Sequence, residues 1–130
     1  MRYAIWAGCL MLAVAVVGYG TAGAGEDELT ALATKAEKEF TKRGEGTFVD
    51  TGYAAYCRMG TGFDEGVFKQ IGFAPTGKGY EYCYNVNADR KKLAVAATSG
   101  KDGSVRCLII DASSGKPERG KVTDKSPCVP

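Results

Sequence analysis

Tyr80 to Asp111 reads YEYCYNVNADRKKLAVAATSGKDGSVRCLIID and holds three β-type runs separated by turn-type residues. Tyr80-Glu81-Tyr82-Cys83-Tyr84-Asn85-Val86 alternates aromatic or β-branched positions with others, the period of two that suits a half-buried strand. Asn87-Ala88-Asp89 breaks the run with turn residues. Leu93 to Ala97 is a second apolar run, ending in Ser99-Gly100-Lys101-Asp102-Gly103, whose Asp-Gly step is a hairpin signal. Val105 to Ile110 is the third, closed by Ser113-Ser114-Gly115. Consecutive strands joined this tightly predict an antiparallel meander, and that meander is the expected core of the domain.

Upstream, Asp27 to Arg43 carries Leu29, Leu32, Ala33, Ala36 and Phe40 at three- and four-residue steps, one apolar stripe of an amphipathic helix. Asp27 is the expected N-cap, and Lys42 and Arg43 fall in the last turn before Gly44, so both ends complement the helix dipole. Helix and meander together predict an α+β fold, with one N-terminal helix (25–44) packed on an antiparallel sheet of about four strands (45–130).

The chain has 130 residues, 45% of them hydrophobic, which bounds it to one domain with a modest core. A formal charge of +2 with interleaved signs gives no nucleic-acid footprint. Histidine is absent, which removes Ser-His-Asp and Cys-His catalysis and histidine metal ligation. Arg2 precedes an apolar run from Ala4 to Val17. Small residues follow, with an Ala22-x-Ala24 cleavage pattern, and then acidic Glu26-Asp27-Glu28. That layout predicts a secretory signal peptide over 1–24 and an exported, periplasmic or extracellular protein. The competing reading is an uncleaved anchor, because Tyr3 to Tyr19 is near the lower length limit for a span.

Cys9 would leave with the signal, and Cys57, Cys83, Cys107 and Cys128 remain, an even number for a small exported domain. No two of these lie close in sequence, which argues against zinc. Four cysteines permit three connectivities. Cys57–Cys83 with Cys107–Cys128 is the expected one, because each bridge would tie an irregular segment to a strand. Gly44 to Gly79 reads as that irregular region, with Thr47-Phe48-Val49 a short strand, Tyr53 to Cys57 an apolar piece, and a helical turn in Phe63 to Phe73. The prolines Pro127 and Pro130 predict an extended or edge tail fastened through Cys128.

Several short pieces then fall into a familiar order. Glu39-Phe40 runs into Gly46-Thr47-Phe48. Gln70-Ile71-Gly72-Phe73-Ala74-Pro75 and Tyr80-Glu81-Tyr82 follow, then Ala96 to Gly103 and Ile110-Asp111. Across most of 37–112 this resembles the globular half of type IV pilins and their minor-pilin and pseudopilin relatives. A pilin precursor, however, carries a Gly-Phe-Thr-Leu-x-Glu type motif and keeps its apolar helix. This chain has no such motif, so signal removal would delete the segment that builds a pilus core. The arrangement looks like the separate globular subunit of a split pilin, whose short helix-only partner supplies the missing half. That resemblance implies that Leu29, Leu32, Ala36 and Phe40, with Tyr82 and Tyr84 on the sheet, receive the partner. The residues themselves also read as an internal helix–sheet core. Family members often carry several acids at the β-turn. Here Asp102 stands alone between Lys101 and Gly103, so no metal and no cofactor is expected.

The remaining polar signals are weak. Asp64-Glu65 reads as a solvated loop, Arg90-Lys91-Lys92 as a solvated connection or a contact for an acidic partner or membrane surface. Thr98 and Ser99 lack a nearby base. An enzyme is therefore not expected. Beside the pilus reading stands a freestanding periplasmic disulfide-bonded binding or inhibitor module, with recognition carried by the 44–79 loop.

Overall fold

A computed structural model describes residues 24–52 and 55–130. The expected signal peptide lies outside these residues except for Ala24, and Tyr53 lies outside them too. The described chain runs α1 (Ala24–Arg43), β1 (Tyr56–Met59), α2 (Gly66–Ile71), β2 (Tyr80–Val86), β3 (Lys92–Ser99), β4 (Val105–Asp111) and β5 (Glu118–Arg119). The sheet has five strands in sequence order, every neighbouring pair antiparallel, with α1 laid across one face.

The alternation in β2 sets which residues meet the helix. Tyr84 pairs with Tyr56 on one side and Val95 on the other, and Val95 pairs with Leu108, so a row of apolar side chains crosses the inner face. Leu93 and Ile110 form the next row. Against them lies the α1 stripe of Leu29, Leu32, Ala33, Ala36 and Phe40, each at most 5% exposed. The expected partner contacts Leu29, Leu32, Ala36, Phe40, Tyr82 and Tyr84 are thus all taken up inside the domain. Tyr82 and Tyr84 are 1% and 0% exposed. This corrects their assignment to a partner: the stripe buries on the nearest apolar surface, which is the chain's own sheet.

Two further expectations are corrected. Asp27 is inside the first turn of α1 and not its N-cap. Gly25, in the same turn, sits so close to the Tyr80 ring that a Cβ there would clash with it. Thr47-Phe48-Val49 is no strand; it is held by Phe48 N–H donating to Arg90 O at 2.8 Å and by the Tyr84 hydroxyl donating to Val49 O at 2.8 Å. Arg90 adopts a left-handed φ of 62°, uncommon for a residue with a Cβ, and so turns its carbonyl toward Phe48. The irregular region contains the expected helical turn, α2, and is packed on the domain. Phe63, Phe68 and Phe73 converge with Tyr56 and Tyr82, ring centroids 5.0 to 6.0 Å apart, and α2 exists to deliver Val67, Phe68 and Ile71 to that cluster. Gly66 begins α2 with φ 64°, and a Cβ there would overlap the Tyr56 ring.

Two disulfides staple the other face. Cys57 pairs with Cys83 and Cys107 with Cys128, the expected connectivity. The reasoning behind the first bridge needs revision, because Cys57 lies in β1 and the bridge joins two adjacent strands. The second does fasten an irregular tail, which also pairs Thr123 with Cys107 at the sheet edge. In register, Cys57, Cys83, Ala96 and Cys107 form one row across the outer face, and both bridges rise from it.

Candidate interaction site

The residues left to meet other molecules are those the core does not use. At the start of α1 the first turn and the 74–78 loop enclose a cleft of about 260 Å³ lined by Asp27, Glu28, Thr76, Gly77, Lys78, Tyr80 and Tyr82. Glu28 builds it. Its carboxylate accepts hydrogen bonds from Thr76 N (2.8 Å), Thr76 Oγ1 (2.9 Å) and Gly77 N (3.4 Å), tying the loop to the helix. Burial, the Glu28 charge and Tyr80 together push the Tyr82 hydroxyl up to about 12, so it stays a neutral donor at the cleft floor through the physiological range. The cleft therefore offers an acidic rim, one lysine and the partly exposed Tyr80 ring.

A larger, open groove of about 680 Å³ lies at the opposite end of α1, between Phe40, Thr41, Gly44 and Gly46 on one side and Gly115, Lys116 and Pro117 on the other. Glu37 borders it but is already engaged: Arg119 of β5 donates to its two oxygens at 2.6 and 3.0 Å and to Thr34 Oγ1 at 3.1 Å. That fork holds the Arg119 guanidinium in its charged form, its pKa raised by the Glu37 hydrogen bonds. At the other end Arg106 binds Asp124 of the tail and approaches Glu26 at 3.9 Å. Three exposed polar contacts thus pin α1 to the 74–78 loop, to β5 and to β4, each worth little singly.

The remaining sequence signals take structural places. Asp102 accepts from Ser104 N at 3.0 Å, which lowers its carboxyl pKa and makes it a turn residue. Asp111 does the same for Ser113 N at 2.9 Å. Glu65 faces Arg58 at 3.7 Å, and Asp64 is exposed beside it. Ser99 Oγ accepts from Lys101 N. Arg90 supports the 48–49 segment through its carbonyl. The β1 strand, which sequence reasoning did not place, is one of the two edge strands of the sheet. Its Cys57 and Cys83 Cα atoms are 4.1 Å apart, the close spacing of a pair without mutual hydrogen bonds, so the Cys57 carbonyl points to the free edge. Arg58 covers it, donating from Nη1 at 2.7 Å, with its guanidinium 4.1 Å above the Tyr56 ring centre. Alternation over Tyr56 to Met59 was the available signal for this strand.

No family model, no curated protein and no solved structure matches the chain. Among the described residues no helix is long and apolar enough to cross a membrane. Two disulfides in so small a domain point to an oxidising, non-cytoplasmic setting.

Proposed function

We propose that the chain is the exported globular head of a pilin-like assembly, working with a separate short helical pilin as subunit, partner or stabiliser of a type IV pilus-like filament. One observation carries the reading: among the described residues an amphipathic helix lies across an antiparallel meander whose last segment is fastened by a disulfide, and an apolar run precedes that helix in the sequence. Because the apolar stripe of α1 is already buried, a partner helix meets the head elsewhere. The cleft at the first turn of α1 is the favoured place, since it adjoins the end of the helix where a stem would join the head.

The self-contained core also favours a second reading, a freestanding binding module that uses the groove beside Phe40 and Pro117. Mass spectrometry of sheared surface filaments separates the two. The pilus reading expects this chain in the filaments together with a short helix-only pilin, and expects Tyr80→Ala or Lys78→Glu to reduce its recovery. Filaments that hold the short pilin without this chain, and no association between the two in solution, would overturn it.

A further inference from the structure

We propose that Cys57 and Cys83 form a reducible pair whose dithiol form, together with Glu81, binds one zinc-type divalent ion on the outer face of the sheet. The register places the ligands. Cys57 stands opposite Cys83 and Met59 opposite Glu81, so all four project from the same face of two hydrogen-bonded strands. The Sγ atoms of Cys57 and Cys83 and a carboxylate oxygen of Glu81 lie within 4.8 Å of one another. A tetrahedral ion with Zn–S near 2.3 Å and Zn–O near 2.0 Å needs ligand separations of roughly 3.3 to 3.8 Å, a spacing reached by side-chain torsions once the sulfurs part. The fourth position is open to water. Met59, 51% exposed and opposite Glu81, supplies a thioether in the same patch.

The two bridges differ in access. In the Cys107–Cys128 bridge only Cys128 is partly exposed, Cys107 being 1% exposed under the tail, whereas both Cys57 and Cys83 are partly exposed on the two outermost strands of their edge. Thiol–disulfide exchange requires a thiolate to reach a sulfur. A dithiol reductant therefore opens Cys57–Cys83 first: it forms a mixed disulfide with one cysteine and then its own internal disulfide, leaving two protein thiols. Binding of the ion displaces both thiol protons; the two resulting thiolates balance the dication, and the Glu81 carboxylate leaves the loaded site with one net negative charge. Backbone pairing of Tyr56 with Tyr84 and of Arg58 with Tyr82 flanks the cysteines and holds the site in the dithiol form. This inference does not depend on the filament reading.

The test uses the full exported chain. It is treated briefly with dithiothreitol, and freed thiols are alkylated and mapped by mass spectrometry. A parallel reduced sample is desalted without air and titrated with Co²⁺. We expect label on Cys57 and Cys83 before Cys107 and Cys128, one Co²⁺ per chain with a thiolate charge-transfer band, displacement by Zn²⁺, and about tenfold weaker binding in Glu81→Gln. Label appearing first on Cys107 and Cys128, absence of the band, equal affinity in Glu81→Gln, or loss of the sheet signal in circular dichroism on reduction would each overturn the proposal.

Discussion

Replacing Tyr84 by phenylalanine tests the helix–sheet core at the point where it meets the irregular segment. Tyr84 is 0% exposed and its hydroxyl donates to Val49 O at 2.8 Å. Tyr84→Phe keeps the ring in its row between Tyr56 and Val95 and removes only the oxygen. The Val49 carbonyl then stays buried without its partner, which costs about 2 kcal/mol. With a urea slope of about 1.5 kcal/mol/M for a domain this small, the denaturation midpoint falls by about 1.3 M at neutral pH with the slope unchanged.

The same substitution carries a signed pH dependence. Burial raises the Tyr84 pKa well above the ordinary tyrosine value near 10, with the Arg43 charge pulling the other way. A raised pKa means the neutral hydroxyl is favoured in the folded state, so the contribution is complete below pH about 10 and is lost as pH rises beyond it. The variant has no such group. Its deficit therefore narrows above pH about 10, while the Tyr82 contribution, also lost on the alkaline side, is common to both proteins. Equal midpoints at neutral pH, or a deficit that widens in alkali, would refute the assigned hydrogen bond.

Two other substitutions probe the same architecture. Leu32→Ala removes a fully buried side chain from the centre of the α1 stripe and should lower unfolding free energy by about 3 kcal/mol, read from urea curves. An effect near zero would mean that α1 is not packed on the sheet. The double substitution Cys107→Ala with Cys128→Ala opens a loop of sequence separation 21, for a loss of about 3.4 kcal/mol in the chain-entropy model. Limited proteolysis should then cut between Gly120 and Pro130 first, and cleavage elsewhere would show that the tail is held by other contacts.

The meander was legible because its signal is local: two-residue alternation over Tyr80–Val86, and turn residues at Asn87–Asp89 and at Asp102-Gly103. The helix was legible for the same reason, with its three- and four-residue apolar steps. What those patterns do not carry is the identity of the covering surface. Leu29, Leu32, Ala36 and Phe40 would have the same spacing whether they faced their own sheet or another polypeptide, and only tertiary packing decides it. In the 44–79 region the helical turn within Phe63 to Phe73 was legible but its packing was not, because its order comes from long-range aromatic contacts of Phe63, Phe68 and Phe73, and glycines obscure any period there. The Glu28 cleft was invisible for a related reason, since Thr76 lies 48 positions away in sequence.

The guanidinium of Arg58 resting on the outward Cys57 carbonyl has a bearing on how such molecules share space. An uncapped outermost strand invites a neighbour to zip alongside it, and densely displayed copies would knit into cross-β aggregate. Here the docking carbonyl is already occupied by a bulky cation lodged on Tyr56, so a second strand would have to evict it before pairing.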